Sequence, residues 1–424
     1  MRLITENLDG LITNTLVTDK FKSVMISYRF IAPFSEATLN SRALLPEVLT
    51  GATRKYPSRA LLKQKLDGLY GMELATQTQK FGKQSVISFD LSFINGDYLP
   101  KDTDLIEEAF ALLGEIVLNP KLVKGGFMSG LFELEKRNLS EELDSMYHDR
   151  AAYSFYRFSK IMFKDELFRL SPRGEVQTLS SLTKDRLYSE YCSLINEDSR
   201  ELYVIGKVDE KAVATLARKY LGKAPAFKEG HWIDDEDKTI TQVTDVRETA
   251  KLNQSRIIVG YRTNIRTNDP LFYPMVVLNT ILGDTDQAKL FLAIREDQRM
   301  SYDIQTFYSG NKGVLFVFAG VDRGYEDQVL ALIDEVIERL DQETITESDL
   351  RIAKEQLQKK GRESVDSPSA LIDKTFVNLH LFRRDIGIDE LLSHFASVSV
   401  ADIIQAKKRL VKDTVFVYHD RGEG

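Results

Sequence analysis

The chain has 424 residues, 43% hydrophobic and 29% charged, which allows two or three globular domains and is not the composition of a disordered or fibrous protein. Its formal net charge of −7 disfavours nucleic acid as a partner, because binding to phosphates requires many uncompensated Lys and Arg side chains. The single cysteine, Cys192, excludes an intrachain disulfide.

The first ten residues do not resemble an export signal. They include Glu6 and Asp9 and lack an apolar core of signal-peptide length, and no later run approaches the length of a membrane span. We therefore expect a cytoplasmic protein with no membrane span.

Residues 24–51 and residues 256–283 repeat the same order of predicted elements. Each segment begins with an apolar strand that ends near a Tyr-Arg pair, Tyr28-Arg29 in the first and Tyr261-Arg262 in the second. A polar loop and an apolar-periodic helix follow in both. This similarity indicates that the chain is duplicated.

The repetition continues along the chain. Amphipathic helices at 109–117 and 132–143 match helices at 329–337 and 351–363, strand hairpins match at 73–94 and 302–321, and closing strands match at 201–208 and 414–419. The predicted fold is α+β with two homologous halves, each an antiparallel-rich sheet with helices on one face, facing one another like a clam.

A break in the pattern separates the two halves. Residues 223–244 contain Pro225, Gly230 and the acidic run 234–237, and they continue neither flanking periodicity. The sequence therefore predicts an N-terminal half at 1–222, a linker at 223–244 and a C-terminal half at 245–424.

The common catalytic motifs are missing. No two of the five histidines stand three to five residues apart, as a paired helical metal site needs, and His380 and His394 lie in amphipathic stretches typical of structural histidines. No glycine-rich phosphate loop and no G-x-S-x-G elbow occurs. We expect no cofactor.

One stretch resembles a known family. Residues 43–57, ALLPEVLTGATRKYP, are similar to the pitrilysin and mitochondrial-processing-peptidase superfamily, whose active members carry a helical H-x-x-E-H and a loop ending near KYP. Alignment on KYP puts the histidine positions at Ala43 and Glu47, and a one-residue gap puts them at Leu44 and Val48. Neither register supplies a histidine, so the resemblance implies a degenerate zinc motif.

The resemblance also implies a third ligand, a glutamate on a later helix. The phrase NLSEEL offers Glu141 and Glu142 there. Zinc needs neutral imidazoles on one helical face together with a carboxylate to hold a reactive water. Without histidines these glutamates are predicted to be solvated helix charges, and no metal site is assigned.

The second half keeps another motif of the same superfamily. Residues 279–304 resemble its pattern N-x-L-G, a small polar loop, L-F and R-E-x-x-x-x-x-Y, which places Arg295 and Tyr302 at the arginine and tyrosine that reach towards substrate at a zinc site. A guanidinium can bind a peptide carbonyl or carboxylate, and a phenol can stabilise an oxyanion. The alternative is that Arg295 pairs with Glu296 or Asp297 on the surface and Tyr302 packs.

In one branch of this superfamily, two small subunits share a chamber, one carrying H-x-x-E-H and the other the arginine and tyrosine. The chain looks most similar to a non-peptidase branch found beside an active bacterial homologue. The resemblance implies a zinc-free subunit that helps to bind peptide and pairs with an active zinc-peptidase homologue, or with itself as a homodimer. From the predicted architecture we expect an extended peptide to add as a strand to a sheet edge. The alternative is a non-enzymatic scaffold in a peptide-maturation or elongation factor P modification pathway.

Overall fold

The computed structural model describes residues 1–99, 104–250, 254–296, 301–341 and 344–420, without the side chains of residues 295, 296, 301, 302 and 420. The strands are β1 Arg2–Leu8, β2 Leu11–Val17, β3 Ser23–Pro33, β4 Glu73–Phe81, β5 Gln84–Ile94, β6 Leu122–Val123, β7 Gly126–Phe127, β8 Ser199–Gly206, β9 Thr244–Ala250, β10 Ser255–Arg262, β11 Ser301–Ser309, β12 Val314–Val321 and β13 Val411–Asp420.

The helices alternate with these strands. They are α1 Leu39–Gly51, α2 Arg59–Gly68, α3 Leu105–Leu118, α4 Ser129–Ser145, α5 Arg150–Met162, α6 Val176–Leu179, α7 Lys184–Asn196, α8 Glu210–Leu221, α9 Phe272–Gly283, α10 Lys289–Phe291, α11 Glu326–Glu338, α12 Glu347–Glu363, α13 Pro368–Leu381, α14 Ile388–Ser397 and α15 Val400–Lys407. A π-helical turn, Leu292–Glu296, follows α10 directly. Among the described helices, none is long and apolar enough to cross a membrane.

Two sheets repeat one topology. The first has the strand order β1-β2-β8-β3-β5-β4, and the second has the order β11-β12-β10-β13-β9. Central strands β3 and β10 are each antiparallel to both neighbours, and in each sheet the closing strand, β8 or β13, is parallel to the next strand out, β2 or β9. The predicted α+β fold with two similar antiparallel-rich halves is confirmed.

Each sheet buries one face under its own helices. On β3, alternate residues such as Ile26, Tyr28 and Phe30 are fully buried in a core with α1, α3 and α7. On β10, Ile257, Val259 and Tyr261 take the same place in a core with α9, α11 and α15. The period of two along each strand puts all of these apolar side chains on one face.

The chain forms two compact units that do not follow chain order. Unit 1 comprises Met1–Ser145, Leu170–His231 and Asp366–Lys374. Unit 2 comprises Met146–Arg169, Trp232–Val365 and Thr375–Gly424. Each unit thus contains one segment from the other half of the sequence, while the boundaries at 222 and 245 stay a prediction.

In unit 2 the inserted segment carries α5, which covers the sheet face opposite the main helices. Phe158, Met162 and Phe163 pack on strand residues that include Phe316 and Phe416. Gly260 on β10 allows this approach, because a Cβ there would lie 2.5 Å from the Met162 sulfur. Within the aromatic run at 153–158, Phe158 is buried, and Tyr153 and Phe155 are partly buried against the same cluster.

The arginines of the Tyr-Arg pairs on β3 and β10 form ion pairs with the inserted segments. In unit 1 the guanidinium of Arg29 lies 2.5 Å from the carboxylate of Asp373 on the inserted segment. In unit 2 the guanidinium of Arg262 lies 2.7 Å from Glu166 on the inserted segment and 2.7 Å from Asp413 on β13. In each unit, the arginine of the repeated Tyr-Arg pair therefore contacts the inserted segment.

Candidate functional site

Helix α1 carries the positions of the degenerate zinc motif. Ala43 and Leu44 have no exposed surface and Val48 is 1% exposed, so three of the four positions belong to the hydrophobic core. Glu47, the fourth, is on the helix's partly exposed side. Neither register brings an imidazole, and a zinc ion would find no nitrogen donor on this helix.

A proline inside α1 ties the helix to the edge of the first sheet. Pro46 has no N–H, so the carbonyl of Arg42 loses its helical donor. The hydroxyl of Thr78 on β4 donates to that carbonyl at 3.3 Å instead. Two residues earlier, the hydroxyl of Thr76 donates to Oε1 of Glu47 at 3.4 Å. The side chains at alternate positions of β4 therefore face α1.

Glu47 belongs to a small ionic cluster with Arg59 and Glu135. Arg59 is the first residue of α2, and its Nη2 atom lies 3.1 Å from Oε1 of Glu135 on α4 and 3.8 Å from Oε2 of Glu47. Glu135 is only 3% exposed, whereas Arg59 is 55% exposed. The sequence prediction missed both residues, since nothing local marks a pair that is 76 positions apart.

The glutamates predicted at the third-ligand position take part in other contacts. Glu141 lies 3.9 Å from Arg137 one turn away, and both side chains are mostly exposed. Glu142 accepts hydrogen bonds from Arg173, with an Nε–Oε1 distance of 2.9 Å. Another residue of α4, Glu135, lies beside the degenerate motif through its ion pair with Arg59. It follows Leu131, which packs on Gly51 of α1, by one helical turn.

A cavity of about 690 Å³ opens beside this cluster. Its walls include Glu47, Arg59 and Thr76, and its floor includes Leu62 and Met72, which are 2% and 3% exposed. Strand β4 forms one side and is an edge strand: among the described residues it pairs with β5 alone. An apolar floor, a charged rim and an open strand edge together suit an extended peptide.

Three of the five histidines, His380, His394 and His419, form ring contacts or hydrogen bonds, and none of them lines this cavity. His380 stacks on Trp232 with ring centroids 3.7 Å apart, and His394 stacks on Tyr273 at 4.4 Å. Nδ1 of His419 lies 3.2 Å from Glu326. In the part of the chain that the structure describes, no group of three or more His, Cys, Asp or Glu side chains could hold a metal.

The arginine and tyrosine of the second-half motif fall partly outside the described residues. Arg295 lies on the π-helical turn after α10 and Tyr302 on edge strand β11, but both side chains are outside the described part of the structure. Asn279, at the start of the motif, lies on α9, where its carbonyl accepts a hydrogen bond from Thr306 at 3.0 Å. The roles of Arg295 and Tyr302 stay a prediction.

Known proteins are similar to this chain in sequence. Residues 181–357 match the family model described as the peptidase M16 inactive domain. The chain is 29% identical over 410 residues to a Bacillus subtilis protein named probable inactive metalloprotease YmfF, covering 96% of this chain and 95% of that protein. It is 24% identical over 345 residues to the B. subtilis protein named uncharacterized zinc protease YmfH, covering 77% of each.

Solved structures agree on the fold. A conserved protein from Enterococcus faecalis V583 superposes with a TM-score of 0.93 at 24% identity, covering 100% of both chains. A protease from Helicobacter pylori superposes with a TM-score of 0.80 at 12% identity, covering 98% of this chain and 99% of that one.

Proposed function

Since the chain belongs to the pitrilysin-type M16 peptidase superfamily and is an inactive homologue within it, we propose that it is the zinc-free subunit of a two-subunit peptidase. It pairs with an active H-x-x-E-H homologue and helps to bind the peptide that the homologue cleaves. One observation carries the proposal: the cavity beside β4 keeps an open strand edge although apolar residues fill the zinc-motif positions Ala43, Leu44 and Val48.

The geometry of β4 favours an extended peptide as ligand. Thr76 and Thr78 face α1, while the alternate residues Ala75 and Gln77 are exposed. A peptide added along this edge forms hydrogen bonds through its backbone and points alternate side chains towards the cavity. Such binding depends little on peptide sequence, which suits a subunit that holds substrate for another active site.

The likeness to a probable inactive metalloprotease supports the absence of independent catalysis. No residue of this cavity can activate a water through zinc, because the nitrogen donors are missing. In the proposed complex the partner supplies the metal. Arg295 and Tyr302 of this subunit bind the peptide carbonyl groups near the scissile bond.

The test is peptide cleavage by this protein alone, by an H-x-x-E-H homologue alone and by the two co-expressed. We expect zinc and full activity only in the mixture. Within the mixture, R295A/Y302A should lower kcat/KM at least about tenfold, the effect of losing roughly 1.4 kcal/mol of transition-state binding. A peptide with N-methylated backbone amides should bind poorly, because it cannot pair with a strand edge.

The matched control is R339A/Y325A, which removes the same residue types from exposed positions of unit 2: the Arg339 side chain is 74% exposed and Tyr325 43% exposed. This control should leave cleavage unchanged. Full activity with R295A/Y302A in a stable complex would contradict substrate binding and favour the scaffold role. Stoichiometric zinc in the lone chain would contradict the zinc-free assignment.

A further inference from the structure

Two carboxylates lie beside the degenerate motif, which has no histidines. Glu135 is 3% exposed, and Glu47 on the facing helix is 33% exposed. A buried carboxylate is strongly destabilising unless a cation or several hydrogen-bond donors compensate its charge. In a metallopeptidase a metal ion can supply that compensation. Here the carboxylates need another source of positive charge.

Arg59 supplies the positive charge. Its Nη2 atom alone reaches Glu135 Oε1 at 3.1 Å, Glu47 Oε2 at 3.8 Å and the Glu47 carbonyl oxygen at 3.4 Å. The remaining carboxylate oxygens accept hydrogen bonds from neutral groups, Asn138 on Glu135 and Thr76 on Glu47. One guanidinium nitrogen therefore lies among three oxygens from two helices, an arrangement that elsewhere suits a bound cation.

A second ion pair on α4 differs from the pair of Arg59 with Glu135 in the exposure of its carboxylate. Glu142, two turns along α4 from Glu135, pairs with Arg173, but the two side chains are 51% and 33% exposed. Water can compensate an exposed carboxylate when its partner is removed, so such a pair contributes little to stability. The buried Glu135 has no such alternative. The two Arg-Glu pairs of α4 therefore differ mainly in the burial of the glutamate, and Arg173 serves as the control for Arg59.

We propose that Arg59 is the resident cation of this site: its guanidinium takes the electrostatic place of a metal ion between Glu47 and Glu135. As a positioning residue it fixes the first turn of α2 against α1 and α4, and with it one wall of the cavity beside β4. A guanidinium stays charged at any physiological pH and cannot be removed by a chelator. The site is then built for a peptide-binding role that is independent of metal supply.

Replacement of Arg59 should expose a latent cation site. The two carboxylates and the Glu47 carbonyl are oxygen ligands of the kind that Mn²⁺ accepts. We expect R59M to melt several degrees below the wild-type protein, and millimolar MnCl₂ to raise its Tm while leaving wild type unchanged. R59K, which keeps the charge, should melt between the two. R173M should melt close to wild type with or without Mn²⁺.

A double variant separates lost charge from lost packing. R59M/E135Q removes the buried negative charge together with its cation, so its Tm should recover most of the loss. If R59M melts like R173M, or if neither E135Q nor Mn²⁺ restores it, the resident-cation role is wrong. Should R59M fail to fold, a folded R59M/E135Q protein would support the role and an unfolded one would overturn it. None of these measurements requires peptide binding, so their failure is distinguishable from failure of the proposed function.

Discussion

Arg29 and Arg262, the arginines of the repeated Tyr-Arg pair, each form an ion pair with an inserted segment, but the two ion pairs differ in burial. In unit 2 the Arg262 side chain is 2% exposed and its partners Glu166 and Asp413 are 9% exposed. In unit 1 the Arg29 side chain is 7% exposed, but its partner Asp373 is 57% exposed. Each arginine also lies over an aromatic ring, Arg262 over Phe163 and Arg29 over Tyr203.

The difference shows how a duplicated fold can anchor two inserted segments with unequal strength. The segment 146–169 is fixed in unit 2 by buried charges, and Lys312 and Asp234 extend that network from Glu166. The segment 366–374 is fixed in unit 1 by ion pairs that are open to water. In addition to Arg29 with Asp373, Lys20 pairs with Asp366, and these two side chains are 45% and 68% exposed. Burial, more than the identity of the pair, determines the stabilisation.

The largest expected effect comes from Arg262→Met. It removes the ion-pair partner of Asp413 and leaves Glu166 with Lys312 inside unit 2, and the free energy of unfolding in urea should fall by about 3–5 kcal/mol. Arg29→Met is the matched variant and should lose clearly less, because Asp373 can turn to water. Equal losses in the two variants would contradict the contrast between the units.

Glu166→Gln tests the same network through pH. Burial alone would raise the pKa of Glu166, but hydrogen bonds and charges from Arg262 and Lys312 outweigh it and lower the pKa to about 2. A lowered folded-state pKa adds stability above the unfolded value of about 4.3 and loses it as pH falls towards 2. At pH 7 the variant should be about 1.5–3 kcal/mol less stable.

The readout for Glu166→Gln is the gap in unfolding free energy between wild type and variant, followed from pH 7 downwards. The gap should be constant to about pH 5 and narrow from there to pH 2. A gap that stays unchanged at pH 3 would mean that Glu166 contributes through packing and not through its charge.

Gly260→Ser would give β10 the residue that β3 has at the equivalent position, Ser27. In unit 2 the new side chain would meet the Met162 sulfur and the Phe158 ring, whose atoms lie 2.5 and 2.7 Å from a Cβ at this position. Overpacking should lower the unfolding free energy by about 1–3 kcal/mol. Ser27→Gly in unit 1 is the reverse exchange, and unchanged stability of Gly260→Ser would show that α5 can move away.

The smallest expected effect comes from Asp373→Asn, because the exposed carboxylate contributes little net energy. Its loss should lower the unfolding free energy by about 0.2–1 kcal/mol. High salt should lower wild-type stability towards that of the variant by screening the pair. A loss as large as that of Glu166→Gln would mean that the two segments are anchored equally.

The duplicated fold could be predicted because its signals are local. Strand and helix periods repeat between residues 24–51 and 256–283, and the matching order of β3, β5 and β8 with β10, β12 and β13 confirms them. The exchange of segments could not be predicted. The apolar face of α5 indicates burial but not which of two similar sheets it covers.

Only part of the candidate site could be predicted, because only part of it is marked by local sequence. Alignment placed the degenerate motif on α1. In the structure Glu47 lies on the partly exposed face of that helix and lines the cavity. Glu141 and Glu142 are predicted to be solvated helix charges, and their side chains are 71% and 51% exposed. The buried Glu135 pairs with Arg59 instead, and this could not be predicted because helix-to-helix register depends on packing such as that of Leu131 on Gly51. Arg59 was missed, since its partners are close only in the folded chain.

The interleaved units set an order of events during protein synthesis. Helix α5 is made long before the strands β10 to β13 that cover Phe158 and Phe163, so its aromatic face stays without its partner while roughly 250 further residues are added, about 12–50 s at about 5–20 residues per second. Unit 1 in turn waits for residues 366–374. Neither unit can therefore finish folding on the ribosome before most of the chain is made, and the nascent protein is expected to depend on chaperones that shield aromatic helices.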